Sequence, residues 1–105
     1  MLTVHLSMSY TKLTNPEIRK LKAEAQRLES IERVGKGGLT TSVLASIELA
    51  LTTRQLIKIR FSHERDERAA LAGQIAATTG AALIMQVGKV AVFYRPKPAA
   101  ESAES

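Results

Sequence analysis

The sequence predicts a small α/β domain, a two-layer sandwich in the order α-β-α-β-α-β-β with a four-stranded mixed sheet. Three observations carry that prediction. Leu56–Phe61 alternates, with Ile57, Ile59 and Phe61 on one side and Lys58 and Arg60 on the other, the period of a strand. Three other segments place apolar residues at helical spacing, each behind a helix-start signal. Two further β-rich runs flank Gly88-Lys89, where glycine at the first central position suits a tight hairpin turn. At 105 residues and 45% hydrophobic, the chain has material for one domain and a modest core.

Taken in order, Thr14-Asn15-Pro16-Glu17 opens the first helix: Thr14 or Asn15 caps it, Pro16 fits the first turn, and Glu17 complements the dipole. Ile18, Leu21, Ala25 and Leu28 form its apolar stripe, leaving Arg19, Lys20, Lys22 and Arg27 as a basic outer surface. Ser30–Val34 reads as a short strand, ended by Gly35-Lys36-Gly37-Gly38. Thr40 then caps a second helix with the stripe Val43, Leu44, Ile47, Ala50 and Leu51. After Leu56–Phe61, the charged turn Glu64–Arg68 leads into Leu71, Ala72, Ile75 and Ala76, and Gly80 stops this third helix. Ala82–Val87 and Val90–Arg95 form the hairpin, and Pro96 and Pro98 end the sheet. Each strand-helix-strand step calls for a parallel crossover. The organisation expected is a leader over 1–11, a folded domain over 12–96, and a Pro-, Ala-, Ser- and Glu-rich flexible tail over 97–105.

Composition narrows function. The formal charge of +5 is uneven, with ten Lys/Arg against five Asp/Glu in residues 1–60, so the basic excess sits in the first half and favours a polyanionic partner. Without cysteine there is no disulfide, thiolate metal site or cysteine nucleophile. Met1–Tyr10 lacks the basic start and long apolar run of a secretory signal, and Lys and Arg interrupt every run that could span a bilayer. His5 and His63 have no ligand or nucleophile pattern around them. Asp66 and Glu67 are explained by the third helix's dipole. The sequence therefore points to no catalytic group, metal or cofactor.

Ligand chemistry is legible at one place, Gly35-Lys36-Gly37-Gly38. Glycines let backbone approach a ligand, a helix N-terminus presents N–H groups, and Lys36 adds a cation, so the implied ligand is anionic. The same glycines also serve a plain strand-to-helix connection. The loop is neither a triphosphate-binding P-loop, which needs GxxxxGK[ST], nor a GxGxxG fingerprint. Its spacing does match the GxxG that clamps a nucleic-acid backbone beside a helix start in KH-type modules. Lys58, Arg60, Lys89, Arg95 and Lys97 could extend such a site. With only Tyr10, Phe61, Phe93 and Tyr94 as aromatics, base stacking cannot be extensive.

Several blocks in order, Val34–Thr40, Ala50-Leu51 leading into Leu56–Arg60, Gly88-Lys89 and Tyr94-Arg95-Pro96, resemble the CRM domain, the chloroplast RNA splicing and ribosome maturation module. The match covers about residues 12–96 and is closest to stand-alone bacterial, YhbY-like members. The resemblance implies a sandwich similar to the C-terminal domain of the third bacterial translation initiation factor. It also implies a cytoplasmic RNA-binding protein, without catalytic activity or cofactor, that associates with precursor large ribosomal subunits. Matched by position, the RNA-binding residues are Gly35, Lys36, Gly37 and Gly38 with Thr40, and the basic Lys58, Arg60, Lys89 and Arg95. Gly37 at the third loop position and Glu29-Ser30 before the first strand depart from the family's pattern. A protein-interaction module docking through the apolar hairpin is the alternative.

Overall fold

The computed structural model describes residues 13–96, so the leader over 1–11 and the tail over 97–105 lie outside the described residues. Helix α1 spans Asn15–Ala25. Thr14 caps it, its Oγ1 accepting from the Glu17 N–H at 3.2 Å while Glu17 Oε1 accepts from the Thr14 N–H at 2.8 Å, so the two residues satisfy each other. Strand β1, Glu32–Val34, leads through the glycine turn into α2, Thr41–Arg54. Strand β2, Leu56–Phe61, and helix α3, Arg65–Thr79, precede the hairpin of β3, Ala82–Val87, and β4, Val90–Tyr94. Gly80 closes α3 in the left-handed region at φ 76°, where glycine carries no Cβ penalty.

The four strands lie in the order β1-β2-β4-β3. β1 runs parallel to β2, as the crossover through α2 requires, and β4 is antiparallel to both β2 and β3. α2 and α3 supply the expected helical layer. Ile47, Leu51, Ala72 and Ile75 pack with Val34, Ile57, Ile59, Phe61, Ala91 and Phe93 into the main core. The opposite parity faces α1: Ala25, Leu56, Ile84 and Val92 form a second cluster, joined by Ile18, Leu21, Leu28 and Tyr94. Phe93 is thus wholly buried on one face, while its neighbour Tyr94 is half-buried on the other.

Two local features depart from simple alternation. α1 shelters part of the face on which Lys58 and Arg60 were expected to stand together, and Lys58 Nζ donates to the Leu28 carbonyl at 2.9 Å. Only Arg60 of the two is exposed. In β3 the register shifts between Leu83, opposite Phe93, and Met85, opposite Val92. The extra residue of this bulge, Ile84, lets Ile84 and Met85 both pack toward α1, which a strict period of two forbids.

Helix α2 ends on Gln55 at φ 71°, the single non-glycine residue with positive φ among those described. The backbone is held there because the Gln55 N–H donates to Leu51 O at 2.9 Å and its carbonyl accepts from the Arg95 N–H at 3.0 Å. A side chain in this region costs about 1–2 kcal/mol, partly offset by the lower unfolded-state entropy of a non-glycine residue. Gln55→Gly is expected to stabilise the protein by about 0.5–1 kcal/mol, read as a higher urea midpoint at unchanged slope.

Candidate nucleic-acid interface

The glycine loop owes its shape to one bond and one dihedral angle. The Gly38 N–H donates to the Gly35 carbonyl at 2.9 Å, closing a four-residue turn, and Gly38 stands at φ 74°. Gly38 is therefore glycine for a backbone reason. Gly35 and Gly37 are not in the left-handed region, and neither lacks room for a side chain: a Cβ on Gly35 would meet nothing within 4 Å, and one on Gly37 only Thr40 Cγ2 at 3.9 Å. Folding does not demand glycine at either position. Their effect is to leave the loop backbone uncovered, with Lys36 and Gly37 exposed at its tip.

Beyond the loop, the Thr40 N–H donates to Gly38 O at 3.1 Å and Thr40 Oγ1 accepts from the Val43 N–H at 3.2 Å. That cap satisfies one of the first N–H groups of α2. Those of Lys36, Gly37, Thr41 and Ser42 have no acceptor among the described residues. Electrostatics separates α2 from its neighbours. α1 carries Glu17 in its first turn and α3 carries Asp66 and Glu67, whereas α2 has no acidic residue there. The positive end of its dipole is left for an anion from outside.

Several expected residues gather at this end of the sheet. The Ser62 N–H donates to Val34 O at 3.1 Å, and the Phe61 N–H to Lys89 O at 2.8 Å, which ties the end of β2 to the loop on one side and to the hairpin turn on the other. Gly35, Lys36, Gly37, Gly38, Thr40, Arg60 and Lys89 thus share one rim. Lys58 stands further back along β2, engaged with Leu28. Arg95 lies at the opposite end. Its Nη1 donates to Glu48 Oε1 at 2.9 Å and to Thr79 O at 2.8 Å, and its Nη2 to Thr52 Oγ1 at 3.1 Å, so it ties the C-terminal parts of α2 and α3 to the end of β4. One cation at the loop rim was not singled out from sequence: Arg33, exposed and directly beside Arg60 in the β1–β2 register. Its alternation with Val34 was visible, but the identity of its neighbour depends on strand pairing. No group of three or more His, Asp or Glu residues that could hold a metal occurs among the described residues, and no described helix is long and apolar enough to cross a membrane.

Because Arg95 serves three acceptors, one of them a buried residue's carbonyl, Arg95→Ala is expected to destabilise the fold by about 1–3 kcal/mol in chemical denaturation. Glu48→Gln removes only a half-exposed ion pair and should cost less than about 1 kcal/mol.

Known proteins share this arrangement. A probable RNA-binding protein of Pseudomonas aeruginosa is 36% identical over 87 residues, 82% of this chain and 84% of the relative. An RNA-binding protein of Haemophilus influenzae is 34% identical over 92 residues, 87% of this chain and 93% of the relative. The solution structure of a Staphylococcus aureus protein described as a candidate RNA binder superposes with a TM-score of 0.72 at 29% identity, covering 82% of this chain and 91% of that one. The CRS1 / YhbY (CRM) domain model matches residues 13–95, from the start of the described fold to the arginine that closes it, and the chain belongs to that family.

Proposed function

We propose that this protein is a non-catalytic RNA-binding protein in which the Gly35–Gly38 loop and the N-terminus of α2 hold an RNA phosphate. The observation that carries this reading is the acid-free first turn of α2 beside a loop with unpartnered N–H groups. Lys36, Arg60 and Lys89 add long-range attraction from the same rim, and the names of the relatives favour RNA over other polyanions. Contact of this kind positions a backbone without reading bases. The family resemblance further supports a role on precursor large ribosomal subunits in the bacterial cytoplasm, where ribosomal RNA is the partner. Docking of a protein on the apolar hairpin is less well supported. Leu83 and Val87, its exposed apolar residues, fall on opposite faces by register and do not make one patch.

The loop is tested without disturbing the fold by Gly35→Asp together with Gly37→Asp, since both positions have room and ordinary φ. Each carboxylate competes for the site an RNA phosphate would use. Affinity for single-stranded RNA, followed by fluorescence anisotropy, should fall about tenfold or more while the melting temperature holds. Unchanged affinity in the folded variant would rule the loop out. Wild-type affinity should also fall steeply as salt rises, and a flat salt dependence would exclude backbone contact altogether. Co-sedimentation with precursor large subunits, lost after loop substitution, tests the ribosomal part of the reading.

A further inference from the structure

Register aligns one residue from each strand across the face that α1 only partly covers. Arg33 of β1 stands beside Arg60 of β2, Arg60 beside Val90 of β4, and Val90 beside Val87 of β3. The cluster under α1 takes in Leu56, Val92, Ile84 and Met85 but none of these four. Arg33 and Arg60 are exposed, Val87 is 65% exposed, and Val90 is half-buried. The end of the sheet next to the glycine loop is therefore bare, cationic on the β1–β2 side and apolar on the β4–β3 side.

Neighbouring strands lie about 4.8 Å apart, so the two arginine side chains leave the sheet side by side. Like charges directly opposite across a strand pair are destabilising. Neither arginine has a carboxylate or other hydrogen-bond acceptor among the described residues to offset this, since the single ion pair there joins Arg95 to Glu48. An anion laid between them converts the repulsion into charge-assisted hydrogen bonds, and two planar guanidinium groups match the oxygens of a phosphate. Val90 and Val87 extend the row as an apolar strip beside that phosphate. Arg33 is two residues before Gly35, so a nucleic-acid strand leaving the loop meets this row directly.

We propose that the Arg33–Arg60–Val90–Val87 row is a second RNA-contacting surface. A single-stranded segment continues from the glycine loop, places a phosphate between Arg33 and Arg60, and rests sugar or base against Val90 and Val87. The proposal builds on the loop reading above. Continuity with the loop favours RNA over an acidic protein segment as the occupant.

The test compares single-stranded RNAs of about 4 and about 12 nucleotides, the shorter matching what a GxxG loop alone clamps. Wild type, Arg33→Gln/Arg60→Gln and Gly35→Asp/Gly37→Asp are titrated by anisotropy at several salt concentrations. The arginine variant should bind the longer RNA about tenfold more weakly, with the salt slope reduced by about 1.4 for two lost phosphate contacts, and bind the shorter RNA as wild type does. Its melting temperature without RNA should be no lower than wild type, because a repulsive pair is gone. Unchanged affinity and slope for the longer RNA, with the loop variant impaired at both lengths, would overturn this surface and leave the loop reading standing. Absence of RNA binding by wild type would overturn both. An arginine variant that loses a protein partner resistant to nuclease, with RNA affinity intact, would assign the face to protein and refute the proposal.

Discussion

Central strand β2 is the constraint on which the remaining structure depends. It pairs with β1 on one side and β4 on the other, and it is the strand whose two faces both meet helices. Ile57, Ile59 and Phe61 face α2 and α3, whereas Leu56 faces α1. A one-residue slip in its register would drive Lys58 and Arg60 into the main core, an error costing several kcal/mol per buried charge. The hydrophobic alternation of six residues thereby fixes where β1 ends and where the hairpin turns, since the backbones of Phe61 and Ser62 bond to Lys89 and Val34.

That fixed end is what gives the glycine loop its setting. The loop leaves the sheet beside the last residue of β2 and delivers the chain into α2 through the left-handed Gly38 and the cap at Thr40. Main-core packing through Ile47 and Leu51 holds the helix axis, so the N–H groups of its first turn are aimed before any ligand arrives. Preorganisation of this kind reduces the ordering cost of binding. The opposite end of the sheet is devoted to holding the fold together: Arg95 ties α2, α3 and β4 there, and the strained Gln55 accepts its backbone N–H.

α1 divides the second face of the sheet into two halves of different character. Where it packs, the face is apolar and Lys58 is spent on the carbonyl of Leu28. Past its reach, Arg33 and Arg60 stand unneutralised beside exposed valines. A fold that leaves like charges adjacent at the rim of its glycine loop gives up some stability there, and such departures from local consistency are expected at functional surfaces.

By itself, the sequence determined the order of elements, the helix caps at Thr14 and Thr40, the stop at Gly80, the hairpin at Gly88-Lys89, and the family to which the chain belongs. These are local signals: side-chain periodicity, capping chemistry and turn residues act over a few positions and are written contiguously. The acid-free first turn of α2 was legible in the same way. Tertiary structure decided which cations meet. Arg60 and Lys89 come to the loop rim, Lys58 turns to the end of α1, Arg95 goes to the far end of the sheet, and Arg33 joins Arg60. It also decided that α1 takes the second face and that Ile84 bulges to reach it. The physical reason is that strand register and helix placement arise from contacts between residues distant in the chain, and no pattern within a single segment specifies its partner.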